Sequence, residues 1–380
     1  MKKIIPVLTF VILFCNCSNK KKNGNFYVPT NSQTSISISK LSFDSIPLDS
    51  ITTSYVIESN LHDSSIYVMD RFFCTLYTFD LNGHFKFKKL GSGHAKGEIP
   101  VGRIATHTFL NNGNLFILDY NCVYRQYDKD ILLSDFFKIR YDRSKRTKDK
   151  EEFYQNPIEY TQFYEDMVCR SYKNNVYFNA RASSNECCYV NNTAQHLKNN
   201  SNILEVKLDD QDFGRLLATG FPPSYQENSL QKAILCSVNY DIDLNGNFYV
   251  TYEADSLIRQ YDNDYNELKC FGYAGIDMDL NYKTITTLEE SRKNWRNERL
   301  TKGYYNWLEY VDETGLLFRS YQKGETRSTD GLQIYKDGVL IGDVSVPKGL
   351  KVMGYIAPYY YSYVIPNEEK EFMYLYRFKL

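Results

Sequence analysis

Little in this sequence points to nucleic-acid binding or to a helical fold. Its 45 Lys and Arg residues nearly balance 46 Asp and Glu residues, which gives a net charge of −1. A chain with so small a net charge has no overall basic field to attract nucleic acid. Ala-rich amphipathic stretches are scarce, whereas aromatic residues make up 16% of the chain. Because aromatic side chains favour pleated strands, the composition predicts an all-β fold.

The sequence also lacks the short motifs that mark metal and catalytic centres. It contains no Cys-x-x-Cys pair, no His-Glu-x-x-His motif and no Gly-x-Ser-x-Gly elbow. The signatures of zinc sites, zinc proteases and serine hydrolases are therefore missing, and we expect no resident metal or cofactor. Seven cysteines follow the first 17 residues, and this odd number favours small buried thiols, with one or two disulfides as the alternative.

The first 17 residues have the pattern of a targeting segment. Lys2 and Lys3 precede an apolar run over residues 4–14, which is too short to span a membrane. The run ends at Cys15-Asn16-Cys17, and polar residues follow at once. This pattern resembles the relaxed lipoprotein signal of Bacteroidetes, which implies acylation of Cys17, with Cys15 or an ordinary secretory signal as alternatives.

Residues 18–33 are polar and predict a tether between a lipid anchor and the folded chain. Lipoproteins that Bacteroidetes export to the cell surface often carry acidic residues after the acylated cysteine. This tether instead carries Lys20, Lys21 and Lys22. We therefore expect an outer-membrane lipoprotein of the cell envelope that faces the periplasm and contacts the membrane through its N-terminal lipid.

A β unit over residues 65–100 recurs along the chain. Residues 66–69 and 76–79 are apolar, β-favouring runs, and Asn82-Gly83 predicts a two-residue hairpin turn before an alternating strand. Three antiparallel strands with one polar face are not stable alone, so the unit needs neighbours. Six pairs of such strands are predicted: 66–69 with 76–79, 113–119 with 123–128, 174–179 with 203–209, 246–252 with 257–262, 315–321 with 332–338, and 359–364 with 372–378.

These repeats predict a six-bladed β-propeller over residues 34–380, with a seven-bladed propeller and a β-sandwich as alternatives. Thr287 and Glu290 form a capping-box pattern, which predicts a short helical insertion over residues 287–300. The alternating segment 34–40 is predicted to pair with the last blade and close the ring.

The lipoprotein leader, the strands ending in Asp and the glycine-rich segment 90–100 together resemble the six-bladed β-propeller lipoproteins of Bacteroidetes, whose repeats are similar to NHL repeats. The resemblance implies no established activity and no catalytic residues. Bacteroidetes also O-glycosylate exported proteins at Asp-Ser/Thr-aliphatic tripeptides, and Ser45 and Ser50 match that form, as does Ser256.

Three carboxylates occupy the same position in the repeat: Asp70, Asp119 and Glu253. Repeated positions of a propeller lie on a ring, so these side chains could face the central channel and bind Ca²⁺ or a sugar. The alternative is that each one caps a turn within its own blade. The glycines of segment 91–98 are interpreted as a blade-to-blade crossing, with Glu98 bonding to backbone amides, and not as a phosphate cradle.

Two aromatic residues, Tyr305 and Trp307, are candidates to stack on a sugar ring or a partner peptide, although aromatics also build the packing between blades. The sequence favours a non-catalytic binding or scaffold lipoprotein that holds a protein or a glycan. The alternative is an envelope glycan hydrolase or lyase with carboxylates at the channel mouth.

Overall fold

The computed structural model describes residues 22–23, 26–27, 33–100, 102–140, 144, 147–162, 167–184, 193–226, 235–283, 287–324 and 326–380. The predicted acylation site Cys17, the whole leader and most of the tether lie outside the described residues, as do Cys187 and Cys188. Within the described ranges, no helix is both long enough and apolar enough to cross a membrane.

The fold is a six-bladed β-propeller, as the repeats predict. Short strands β1 (Lys22–Asn23) and β2 (Phe26–Tyr27) precede it, followed by β3 (Gln33–Ile38) and β4 (Asp44–Leu48). Blade 1 contains β5 (Ile57–His62), β6 (Ser65–Asp70), β7 (Thr75–Phe79) and β8 (Phe85–Leu90). Blade 2 contains β9 (Ile104–Phe109), β10 (Leu115–Asp119), β11 (Val123–Tyr127) and β12 (Leu133–Lys138).

Blade 3 carries the insertions. Helix α1 (Lys150–Phe153) and a 3-10 turn (Pro157–Glu159) precede β13 (Tyr160–Gln162), β14 (Cys169–Tyr172) and β15 (Asn175–Ala182). Helix α2 (Thr193–Asn199), β16 (Ile203–Lys207), β17 (Asp212–Leu217) and helix α3 (Pro223–Gln226) follow. Blade 4 contains β18 (Val238–Ile242), β19 (Phe248–Tyr252), β20 (Ile258–Tyr261) and β21 (Glu267–Phe271).

Helix α4 (Leu288–Thr301) connects blade 4 to blade 5, and the Thr287 side chain accepts a hydrogen bond from the Glu290 backbone N–H, so the predicted helix and its cap are confirmed. Blade 5 contains β22 (Tyr304–Val311), β23 (Leu316–Gln322), β24 (Asp330–Lys336) and β25 (Val339–Val346). Blade 6 contains β26 (Val352–Ile356), β27 (Tyr359–Ser362), β28 (Ile365–Asn367) and β29 (Phe372–Phe378).

The ring is closed by β4, and the predicted closure through residues 34–40 is wrong. Strand β4 pairs antiparallel with the C-terminal strand β29 and becomes the outer strand of blade 6. Strand β3 instead pairs in parallel with β25 at the edge of blade 5. The difference follows from burial, because Ile46 and Leu48 of β4 pack into the core whereas the side chains of β3 are almost all exposed.

The Asn-Gly turn of blade 1 also differs from the prediction. Only Gly83 has a positive φ, 86°, and the Asp80 backbone N–H donates to the His84 carbonyl across a three-residue loop. The extra residue shifts the register of β7 against β8, as in a hairpin with a glycine bulge. A side chain at Gly83 would collide with the Pro47 carbonyl of the closing strand, so this glycine also allows the ring to close.

Aspartates that follow the third strands have a local structural role. The Asp80 carboxylate accepts hydrogen bonds from the backbone N–H groups of Asn82 and His84. Asp128 and Asp262 make the equivalent pair of bonds in blades 2 and 4. The recurring aromatic-Asp pattern therefore encodes an Asx turn at the start of each of these hairpins.

The glycine-rich segment forms the crossing from blade 1 to blade 2, as predicted. It connects β8 to β9, and Gly97 has a φ of 91°. The Glu98 carboxylate accepts a hydrogen bond from the backbone N–H of Ala95, 2.9 Å away. The crossing therefore explains why the segment contains glycines and Glu98, and no phosphate ligand is needed to explain them.

The described cysteines behave as small apolar residues. Cys74 and Cys169 are buried, and Cys122, Cys236 and Cys270 are half-buried. Burial raises the pKa of Cys74 to about 12, so this thiol stays protonated at neutral pH. The prediction of small buried thiols is confirmed for Cys74 and Cys169.

Candidate functional site

A cavity of about 430 Å³, which we call the funnel, opens at one end of the ring. The innermost strands begin at this end and the second strands finish there, as the pairing of Ile57 with Asp70 and of Val238 with Tyr252 shows. Blades 1, 3, 4, 5 and 6 and helix α4 all contribute to the wall. The funnel therefore lies where the blades converge, and small-molecule sites favour such concave positions.

Glu253 and Arg299 form an ion pair in the funnel wall. The Glu253 carboxylate lies 2.8 and 3.0 Å from the two terminal nitrogens of Arg299. The same carboxylate accepts a hydrogen bond from the backbone N–H of Ser237, 2.8 Å away. Because Arg299 projects from α4, the helical insertion supplies one half of the pair and blade 4 supplies the other.

A second wall carboxylate, Glu58 on β5, is held by blade 2. Its Oε2 atom lies 3.0 Å from Nδ1 of His107, and its Oε1 atom accepts a bond from the Thr106 hydroxyl at 2.8 Å. Burial alone would raise the pKa of Glu58, but its interactions with His107 and Arg71 outweigh burial and hold that pKa below the ordinary value. Glu58 is therefore ionised at neutral pH and is a poor proton donor.

Both ring nitrogens of His107 are engaged. The Asn60 side-chain amide nitrogen lies 2.8 Å from Nε2 of His107, so Nε2 accepts this bond and the Nδ1–H group donates to Glu58. His107 is fully buried, and it touches no open part of the funnel. This histidine orients Glu58 and has no nitrogen available for proton exchange with a bound molecule.

Three charged side chains form a buried group deeper in the ring, which we call the Arg170 cluster: Arg170, Asp241 and Glu309. They project from the innermost strands of blades 3, 4 and 5. The Arg170 guanidinium lies 3.0 Å from Asp241 and 2.7 Å from Glu309. Burial raises the pKa of Glu309 to about 8 and also raises that of Asp241, while the positive charge of Arg170 opposes both shifts.

Glu309→Gln is expected to flatten the dependence of stability on pH. In the unfolded chain a Glu ionises near its ordinary pKa of about 4.3, whereas Glu309 in the folded chain ionises at about 8. Between these values the unfolded chain releases a proton that the native state retains, so the free energy of unfolding falls as the pH rises. The melting temperature of the variant should therefore fall less between pH 5 and pH 8 than that of the wild type.

Differential scanning calorimetry from pH 5 to pH 9 measures this effect. Glu289→Gln is the matched control, because Glu289 lies exposed on α4 and pairs only with the exposed Lys293 in the described contacts. Its curve should follow the wild type. Parallel curves for the wild type and Glu309→Gln would contradict the assignment of a raised pKa to Glu309.

The structure separates the three carboxylates that the repeat places together. Asp70 is fully buried, and it accepts hydrogen bonds from the backbone N–H groups of Phe72 and Phe73 in the turn after β6. Asp119 bonds to the backbone of the equivalent turn in blade 2 and also to the Arg125 side chain. Of the three, Glu253 alone is in the funnel wall. Asp70 and Asp119 thus have the turn geometry of the alternative interpretation.

The two aromatic candidates also lie in different surroundings. Trp307 lines the funnel, and its indole N–H donates to the Val352 carbonyl at 2.8 Å. The Lys351 ammonium lies 5.3 Å from the centroid of the Trp307 ring, within the range of a cation–π contact. Tyr305 is buried between blades, where the Arg319 guanidinium lies 3.8 Å from its ring centroid. Tyr305 contributes to packing and does not line the funnel.

The glycosylation candidates stay predictions. Ser45 is exposed on the closing strand β4, and Ser50 is exposed just after it. Ser256 lies in the turn before β20 and is half-buried. As for Ca²⁺, no three His, Cys, Asp or Glu residues within the described ranges are placed so that they could hold a metal ion together.

Sequence reasoning missed the polar residues of the innermost strands: Glu58, His107, Arg170, Asp241 and Glu309. The repeat was recognised from the second and third strands of each blade, which have apolar or alternating patterns. A usable signal was present, because a charged residue stands inside a short apolar run at Asp241 in β18 and at Glu309 in β22. Such residues in a buried strand face a channel or a polar partner.

Comparison with known proteins identifies solved structures that share this fold. No family model matches the chain, and no curated protein matches it. A solved structure of a DUF4221 family member from Bacteroides vulgatus superposes with a TM-score of 0.61 at 9% identity, over 90% of this chain and 98% of that one. A Bacteroides fragilis protein named a putative exported protein superposes with a TM-score of 0.53 at 12% identity, over 90% and 97% of the two chains. At these identities the likeness shows the propeller fold alone.

Proposed function

We propose that this chain is a non-catalytic binding module of the cell envelope, anchored through lipid on Cys17, whose ligand occupies the funnel. The leader and tether support the location, as does the likeness to the Bacteroides fragilis protein that is named as exported. The observation that carries the proposal is the funnel itself, a concave site that is lined by five blades and contains both ion-paired and amide side chains.

The state of the wall carboxylates favours binding over hydrolysis. A glycosidase needs one carboxylic acid with a raised pKa to protonate the leaving group. The pKa of Glu58 is lowered, and Glu253 is held in a two-nitrogen ion pair with Arg299. Glu309, whose pKa is raised, is bonded to Arg170 and is not part of the funnel wall.

Capture of ligand from the native envelope tests whether the funnel is the binding site. Ile365 lines the funnel, so Ile365→Trp fills part of it and should abolish capture by the mature chain. Leu244→Trp introduces the same ring at an exposed position beyond β18, at the other end of the ring, and should leave capture unchanged. Equal capture by both variants would contradict the proposal.

Incubation with host and plant glycans tests the enzymatic alternative. We expect no products from the wild-type chain when the glycans are separated by chromatography after prolonged incubation. Robust turnover that is lost in Glu58→Gln or Glu253→Gln would replace the binding proposal with a hydrolase or lyase.

A further inference from the structure

The funnel wall combines polar and apolar side chains. Most of the polar ones come from blades 4 and 5 and from α4: Ser237, Asn239, Glu253, Arg299, Asn306 and Gln322. Blade 1 adds Glu58 and Arg71, and Lys351 lies beside blade 6. The apolar ones come from blades 1, 3 and 6: Ile57, Met167, Val168, Val364, Ile365 and Pro366. Blade 5 adds the rings of Tyr304 and Trp307. Such a wall suits a molecule with one C–H face and one edge of hydroxyl groups, which is the chemistry of a sugar ring.

Cations outnumber anions in the wall. The cations are Arg71, Arg299 and Lys351, and the anions are Glu58 and Glu253. Both carboxylates are already held by donors of the protein, Glu58 by His107 and Glu253 by Arg299. A carboxylate on a bound molecule would therefore meet a wall with a net positive charge.

The rim beside blades 5 and 6 strengthens this charge. Asp330 is buried there, and Lys323, Lys348 and Lys351 all act on its carboxylate electrostatically. The Asp330 carboxylate accepts a hydrogen bond from the backbone N–H of Gly349, a wall residue. Three lysines thus act on one carboxylate beside the funnel, and Lys351 carries this positive charge into the wall itself.

Asn306 provides a hydrogen-bonding group that the fold itself leaves unused. This residue lines the funnel, and among the described residues its Oδ1 atom is buried without a hydrogen-bond partner. An unsatisfied buried acceptor costs free energy. Rotation of the amide toward the cavity would break no bond made by this oxygen and would present it to a ligand hydroxyl.

We propose that the funnel binds an acidic saccharide, with a uronate carboxylate toward Lys351 and the C–H face of the sugar toward Ile365 and Pro366. This inference rests on the proposed function and names the class of its ligand. The cavity volume of about 430 Å³ lies within the range of small-molecule sites, roughly 300–1,000 Å³. It suits a short saccharide or the end of a longer chain.

Isothermal titration calorimetry of the mature chain with a galacturonate disaccharide tests the inference. The carboxyl-reduced galactose disaccharide has the same shape without the charge, and we expect it to bind at least tenfold more weakly. Lys351→Gln should weaken binding of the galacturonate disaccharide about tenfold, and added salt should weaken wild-type binding. Lys336→Gln is the control. It removes the same charge at the end of β24 that lies away from Asp330 and the funnel, and it should leave binding unchanged.

The outcomes separate this inference from the proposed function. Equal binding of the charged and neutral disaccharides overturns the inference, and this comparison needs no variant. Absence of saturable binding at millimolar concentration, or tighter funnel binding of an acidic peptide, also overturns it while envelope capture still supports a binding module. Binding of the galacturonate disaccharide that persists in Ile365→Trp contradicts both proposals, because the saccharide would then sit outside the funnel.

Discussion

Replacing Arg170 with methionine is expected to destabilise the propeller by about 3–5 kcal/mol, the cost of leaving buried charges without their partner. Arg170 contacts Asp241 and Glu309, which belong to two other blades. Methionine keeps most of the side-chain length but removes the positive charge and the hydrogen bonds. Asp241 and Glu309 then lie buried without a cation, so any negative charge on them has no partner.

Urea unfolding at pH 7 measures this loss. Neutralising the acids as well, in Arg170→Met/Asp241→Asn/Glu309→Gln, should restore most of the stability because no buried charge then remains unpaired. Lys293→Met is the control, since Lys293 and its partner Glu289 are both largely exposed and such pairs contribute little. A loss below about 1 kcal/mol in Arg170→Met would contradict the role given to the Arg170 cluster.

Removing residues 1–50 is expected to prevent the propeller from folding, whereas removing residues 1–38 is not. The longer deletion removes β4, which closes the ring by pairing with β29. Ile46 and Leu48 are both about 5% exposed, and their loss uncovers Met373 and Leu375 of the core. The shorter deletion removes β1, β2 and β3, and the side chains of β3 are almost all exposed.

Near-ultraviolet circular dichroism and thermal melting distinguish the two deletions. The shorter deletion should retain the aromatic signal and a cooperative transition near that of the wild type, and the longer one should lose both. Ile46→Asp keeps the chain length and should lower the melting temperature strongly, because it buries a charge on the core of blade 6. A cooperative melt of the longer deletion at the wild-type temperature would show that β4 is not needed to close the ring.

Sequence periodicity was sufficient to predict the architecture, because the second and third strands of each blade are buried and carry regular patterns. The capping box at Thr287 likewise predicted α4, since a helix cap is a local arrangement. Ring closure could not be predicted in this way. Strands β3 and β4 both have alternating sequences. Which of them closes the ring depends on which one packs on an apolar surface of a distant blade.

The site itself depends on contacts between distant parts of the chain. Arg170 and Glu309 are 139 positions apart and meet only because blades 3 and 5 converge on the same channel. Asp70 and Asp119 became candidate ligand residues because an acidic residue recurs at their position in the repeat. The structure gives a different reason for this recurrence, since both carboxylates cap a turn. A turn that recurs in each blade keeps its capping residue, whereas channel groups differ from blade to blade because they pair with each other.

Fluorescence of Trp307 offers the most direct test of whether a ligand occupies the funnel. The chain has two tryptophans, and Trp295→Phe on α4 leaves Trp307 in the funnel wall as the sole indole. Titration of this variant with the galacturonate disaccharide should change the Trp307 emission saturably, with the same midpoint as the calorimetric titration. Calorimetric binding with unchanged Trp307 emission would contradict a site in the funnel.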